Sequence, residues 1–426
     1  MNLPTARQLI PIAALYGGRI GVAGLGLVIL PWLSKSMPAT EFGLAATILS
    51  LQSLAVVLDL GLAVTASREL PALEDTYAAQ AVVKRNERTL LLLYCGIATI
   101  TGVLAATGLI PVTVPIALLI CLSLLLIVWQ NILIVALISR QRFLISTATQ
   151  FLSLLLRHCG SLALVLCVAG TLQSFVIGQV VGAAIVLMVS RRIFLHRQNQ
   201  ANDPPTPPPR HPTTSLALIV YGVAGACAMQ LDKVLLSGLA SPAFTGPYYL
   251  ASTLSLVPIA FLATPVAQFV QPKLIASVVR GQSDVARRWI WRLTLALVVL
   301  AVIPGILLGF AAPFIVPLWL QGSAAQDVVI SYTALLMPGA SIGVLGLVPA
   351  MVLIGRRDYR ALAAISCVMT IAVLSTTAFL AVKNDIRGIC IAYAMYHVLA
   401  AIVLWWRAGQ MDPSFPKLIG AYAAKR

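Results

Sequence analysis

Twelve apolar stretches, each about 20 residues or longer, fill most of this 426-residue chain and leave short polar turns between them. They run over 10–32, 42–66, 89–110, 114–138, 146–168, 171–190, 215–239, 247–270, 289–312, 328–354, 361–381 and 388–406. At 1.5 Å rise per residue, about 20 helical residues match a hydrocarbon core of about 30 Å. The runs lack the alternation of the roughly ten-residue strands that build membrane barrels. Lipid offers no water to peptide groups, so the helix is the conformation that remains. Sixty per cent of the residues are hydrophobic and 10% charged, against about 25% charged in soluble domains. The expected fold class is an all-α integral membrane protein with twelve transmembrane helices in two six-helix lobes.

Basic residues set the orientation. Of 29 Lys and Arg, Arg19, Arg157 and Lys233 fall inside spans, and Lys35, Lys383 and Arg387 flank the odd-to-even turns. The other 23 lie in the termini or the even-to-odd connections, among them Arg68, Lys84, Arg85, Arg140, Arg191, Arg287, Arg288, Arg356, Arg360 and Arg407. Such asymmetry places the basic side in the cytoplasm, and with it both termini. The net charge of +16 is thereby an orientation device. No basic stretch sits in a folded soluble domain, which excludes nucleic acid as a partner. The first span follows a single early arginine and lacks a short apolar core ending in a small-residue cleavage site, so it reads as an uncleaved helix.

The prolines of Asp203-Pro204-Pro205-Thr206-Pro207-Pro208-Pro209 cannot sustain a helix. They divide the chain into an N-terminal six-helix lobe (1–190), a cytoplasmic linker (191–214), a C-terminal six-helix lobe (215–407) and a cytoplasmic tail (408–426). A faint repeat relates the halves at an offset of 203 residues, pairing Leu33-Ser34 with Leu236-Ser237, Gly43 with Gly246 and Leu51 with Leu254. Six spans per half make such repeats parallel. Loops this short hold no nucleotide-binding module, and no Walker-type motif is present. The seven cysteines form no metal-type pair and are expected as small buried side chains, with no metal and no cofactor. Pro258, Pro265, Pro304, Pro338 and Pro349 interrupt three second-half spans, as packing features or as hinges of a moving lobe.

Charged groups within the spans are the candidate site. Arg19 lies about 13 Å into the first span, among Gly17, Gly18, Gly21, Gly24 and Gly26, and Arg157 lies near the middle of the fifth. Groups that are costly in lipid face a bundle interior. Two guanidinium groups at similar depth can receive a phosphate or diphosphate in bidentate fashion. The alternative for each is a structural pair or packing role. Asp232 and Lys233 lie near the outer end of the seventh span, either solvated at the rim, acting as a rim gate or contacting substrate from the outer side; as helix neighbours they diverge and need not pair. Asp59 could close a cytoplasmic gate, or be an interfacial polar residue. His397 is mid-span in the twelfth and could serve ion coupling, although a neutral histidine hydrogen-bonded within the bundle explains it better.

Pro38-Ala39-Thr40-Glu41-Phe42-Gly43-Leu44-Ala45, Leu58-Asp59-Leu60-Gly61-Leu62 and Arg68-Glu69 resemble the opening of the Wzx-type polysaccharide flippases. That family shares a superfamily with multidrug exporters and the lipid II flippase. Gln230-Leu231-Asp232-Lys233-Val234-Leu235-Leu236-Ser237-Gly238 and Gly246-Pro247-Tyr248-Tyr249-Leu250-Ala251 look like its seventh and eighth helices. The resemblance implies two lobes around a V-shaped central cavity in a bacterial inner membrane, and no enzymatic chemistry. It further implies translocation of a polyprenyl-diphosphate-linked oligosaccharide, of the O-antigen or lipopolysaccharide kind, to the outer leaflet by alternating access. Cationic cavity residues would hold the headgroup, and Arg19 and Arg157 are the positions that fit. Its partners would be the lipid-linked glycan, membrane lipids, and a glycan polymerase with its assembly machinery. The competing expectation is an ion-coupled exporter of a small amphipathic or drug-like solute.

Overall fold

The computed structural model describes residues 21, 24–57, 76–110, 112–139, 142–196 and 216–411, and within them every regular element is a helix. The chain forms two compact units, Met1–Thr213 and Thr214–Arg426. In the first, helical backbone over 24–36 precedes α1 (Ala39–Val57), α2 (Thr76–Ala106), α3 (Val114–Ser139), α4 (Phe143–Cys167) and α5 (Leu172–His196). The second begins with α6 (Leu216–Leu239) and α7 (Pro242–Val279). Next come α8 (Ser283–Leu297), a π turn (Val298–Val302), α9 (Ile303–Phe310) and α10 (Ala312–Trp319). The unit ends with α11 (Gln326–Gly343), a 3-10 turn (Val344–Gly346), α12 (Leu347–Gly355), α13 (Tyr359–Val382) and α14 (Ile386–Met411).

Eleven described helical stretches are long and apolar enough to cross a membrane. They correspond to eleven of the twelve expected spans. Of the expected span 10–32, residue 21 and residues 24–32 are described and helical; the rest of it, most of the linker and most of the tail fall outside the described residues.

Helix ends differ from the apolar boundaries for a physical reason: hydropathy marks where lipid begins, not where hydrogen bonding stops. The eighth span, expected over 247–270, belongs to the 38-residue α7. Its last turns carry Gln271, Pro272 and Lys273 out of the apolar zone. The expected cytoplasmic connection shrinks to Arg280-Gly281-Gln282, where Gly281 takes φ +69° at no steric cost. α8 then starts amphipathic, burying Ala286, Ile290, Leu293 and Leu297 while Arg287 and Arg288 point outward.

The prolines divide by local geometry. Pro258 and Pro265 sit inside the unbroken α7, and Pro338 inside α11. Pro304 follows the π turn and Pro349 the 3-10 turn, both local changes of winding just where a proline removes a donor and crowds the preceding carbonyl.

Each lobe has its own core. In the first, Val83, Leu90 and Tyr94 of α2 meet Val128, Ile132 and Ala136 of α3 and Leu187 of α5. In the second, α7, α8, α11, α12 and α14 share a larger cluster that includes Leu274, Ile290, Val348 and Leu404. The outside is apolar too: Phe310 and Phe314 are 78% and 75% exposed, a surface that suits lipid and would aggregate in water. Cys95, Cys159 and Cys167 lie on exposed helix walls, contrary to the expectation of burial. A thiol is apolar enough for a lipid-facing position, so burial is not required of it. Cys121 and Cys390 are buried as expected.

The repeat has a structural counterpart. α1 begins at Ala39 and α7 at Pro242, 203 positions apart, and Leu33 and Leu236 are both buried just before the turn. Glu41, one of the motif residues, accepts a hydrogen bond of 2.6 Å from the Leu172 N–H and so satisfies an open donor at the start of α5.

Candidate functional site

Arg157 stands about 21 Å along α4, a helix about 37 Å long, and is 8% exposed. It is the centre of a polar cluster drawn from four helices. Its Nε donates to the Ser153 carbonyl at 3.3 Å and its Nη1 to Gln52 Oε1 of α1 at 3.4 Å. Ser153 Oγ donates to Gln130 Oε1 of α3 at 2.6 Å. From α5, Gln179 Nε2 reaches the Arg157 carbonyl at 3.4 Å and Ser161 Oγ at 3.0 Å, and Ser161 Oγ donates to the Phe175 carbonyl at 2.8 Å. Among the described residues no carboxylate pairs with Arg157. The amide nitrogens of Gln52 and Gln130 and the amide oxygen of Gln179 are enclosed without a protein partner. The neighbourhood therefore holds one full positive charge and two spare amide donors.

Close approach of α4 and α5 makes this possible. Gly178 and Gly182, four residues apart on α5, face the α4 backbone at Ser161 and Arg157; a Cβ on Gly182 would lie 2.7 Å from the Arg157 Cα. Small residues at that spacing allow helices in lipid to touch along their backbones. Ser153, Arg157 and Ser161 recur every four residues and so line one face of α4.

The C-terminal lobe encloses its own charged group. Asp232 and Lys233 are 0% and 3% exposed, so neither is solvated at a rim. They also pair despite being neighbours: Lys233 Nζ lies 3.0 Å from Asp232 Oδ1. The long lysine stem lets the ammonium fold back along α6, where it donates to the Met229 carbonyl at 2.6 Å. Tyr248 of α7 donates to Asp232 Oδ2 at 2.7 Å. The ammonium is 5.8 Å from the Tyr248 ring centre and 5.5 Å from that of Tyr393 on α14. His397 packs edge-on to Tyr393, 4.9 Å between ring centres. Its Nε2 is enclosed without a hydrogen bond, unlike the bundle-bonded histidine expected from sequence.

Arg19, Asp59, Arg68 and Glu69 lie outside the described residues. Sequence reasoning passed over Gln52, Gln130 and Gln179, the only other strongly polar partners around Arg157 among the described residues. A scan for uncharged amides within otherwise apolar spans would have found them. It also passed over two ion pairs between helices. Glu87 of α2 accepts from Trp129 Nε1 at 2.9 Å and meets Arg191 at 3.4 Å, and Arg407 meets Asp358 at 2.7 Å. Among the described residues no group of three or more His, Cys, Asp or Glu side chains is arranged to hold a metal.

Comparison with known proteins places the family and the fold. Residues 12–275 match the family described as polysaccharide biosynthesis protein, more than half of the chain. No curated protein matches the sequence significantly. Among solved structures, the chain is similar to an inward-facing multidrug resistance MATE family transporter of the MOP superfamily. That likeness has a TM-score of 0.63 at 15% identity, over 95% of this chain and 97% of the other. An outward-facing MATE transporter gives 0.64 at 13% identity, over 94% of each chain. A MOP superfamily transporter from Pyrococcus furiosus gives 0.62 at 14% identity, over 96% and 98%. At such identities the likeness fixes the fold, and the family match fixes the relationship. The chain is a multi-pass membrane protein with the MOP transporter fold, and it belongs to the polysaccharide biosynthesis protein family.

Proposed function

We propose that this protein is a flippase that moves a polyprenyl-diphosphate-linked oligosaccharide from the cytoplasmic to the outer leaflet of the bacterial inner membrane, by alternating access. The observation that carries this reading is Arg157: a guanidinium deep in a helix bundle, with amide and hydroxyl neighbours and no carboxylate among the described residues. A cation kept in that state has free capacity for an anion, and a diphosphate matches its forked donors. Gln52 and Gln130 add amide donors that an uncharged or cationic drug would not need. Arg19 is the proposed second contact. Nothing covalent is required, so catalysis has no part in the reading; Asp59 remains a proposed cytoplasmic gate.

The alternative, an ion-coupled exporter of a small amphipathic solute, draws on the likeness to multidrug MATE transporters. Against it stands the sign of the buried charge in the N-terminal lobe. The Pyrococcus furiosus structure was described as having a reversed binding-pocket polarity suggestive of a different function, so the fold carries pockets of either sign.

Translocation of a fluorescent lipid-linked glycan in proteoliposomes separates the two. Arg157→Ala is expected to reduce the rate at least about tenfold, the scale of removing one charge-assisted hydrogen bond in a low-dielectric site. Arg157→Lys should retain part of it. Full translocation by properly folded Arg157→Ala and Arg19→Ala proteins, or ion-gradient-driven dye efflux with no glycan movement, would defeat the flippase reading.

A further inference from the structure

The Asp232–Lys233 group has the composition of a cation-binding pocket. A membrane-embedded lysine ordinarily extends its stem toward a polar interface. Here it folds inward onto a carboxylate oxygen at 3.0 Å and a main-chain carbonyl at 2.6 Å, between the rings of Tyr248 and Tyr393. Carboxylate, carbonyl and aromatic faces are the groups that receive a bare monovalent cation when water is excluded. The walls also have bonds of their own: Tyr248 holds the second Asp232 oxygen at 2.7 Å, and the Tyr393 hydroxyl meets Met229 Sδ at 3.0 Å. Three helices, α6, α7 and α14, thus fix the pocket through contacts in which Lys233 takes no part.

We propose that this pocket is a monovalent-cation site whose occupant is the chain's own Lys233 ammonium. The tethered charge neutralises Asp232 permanently and joins the three helices, so the C-terminal lobe takes no free sodium or potassium there. Removing the ammonium leaves a buried carboxylate with a ready-made set of oxygen and aromatic ligands, and an alkali cation then fills it. Such a site governs the stability of one lobe, whatever substrate the protein transports.

Thermal unfolding of the purified full chain in choline, sodium and potassium chloride at equal ionic strength tests it. The wild-type midpoint is expected to be the same in all three. Lys233→Ala should unfold earlier in choline and recover by about 3 °C or more in sodium or potassium. The double variant Asp232→Asn/Lys233→Ala should lose that response. Lys233→Gln, which leaves a smaller void and keeps a donor for the Met229 carbonyl, should also gain a salt-specific shift. Overturning results are a wild-type shift in sodium or potassium that Asp232→Asn abolishes, folded single variants indifferent to the cation, or single variants that no salt recovers.

Discussion

Arg157 illustrates how little of a buried charge's role resides in the residue itself. Its position in an apolar span made it conspicuous, but the side-chain acceptor that meets its guanidinium is Gln52, 105 positions away on another helix. Gln52→Leu would leave Nη1 facing an apolar side chain, and removing a hydrogen bond to a charged group costs about 1.5–3 kcal/mol. That variant is expected to lower the unfolding midpoint in detergent, and Gln52→Glu to raise it by supplying a true counter-ion while impairing transport. A Gln52→Glu protein that transports normally would show that free positive charge on Arg157 is not used. For Lys233 the sequence misled at close range. Helix geometry separates neighbouring Cβ atoms, yet a four-carbon stem can bend back onto the Met229 carbonyl and the Asp232 carboxylate, beside the rings of Tyr248 and Tyr393.

Elements were the most legible level. Apolar runs of membrane length predicted every described spanning stretch, because lipid forces the backbone to satisfy itself locally. Their packing was not legible to the same degree. Gly178 and Gly182 were not singled out, although they form the Gly-x-x-x-Gly spacing that brings α5 onto α4. Gly182→Ala is expected to force the two backbones apart and destabilise the lobe by about 1–3 kcal/mol, the scale of an overpacked interior. Gly225→Ala is the control: its Cβ would meet nothing within 4 Å, and as a helical glycine replaced by alanine it should be neutral or mildly stabilising. Equal unfolding midpoints for the two variants would contradict backbone-to-backbone packing of α4 on α5. The prolines were visible as interruptions, but which became a change of winding depended on the neighbouring turns: those before Pro304 and Pro349 rewound, whereas α7 absorbed its own.

At the scale of the whole molecule, the distribution of basic residues predicts an experiment on topology. In a cysteine-free background, Lys383→Cys between α13 and α14 should react with an impermeant maleimide added outside intact cells, and Arg360→Cys near the start of α13 only after lysis; the reverse pattern would invert the proposed orientation. Two of the same arginines have a second duty that charge counting misses: Arg191 and Arg407 each close an ion pair between distant chain segments. Sequence alone determined the solvent in which this chain folds and the helical form of its described spans, because burial in lipid is a property of composition summed over about 20 residues. Which polar side chains meet was decided by tertiary structure. Hydrogen bonds such as Gln52–Arg157 and Tyr248–Asp232 join helices through geometry of a few ångströms, and that distance is written in helix packing and not in any local run of residues.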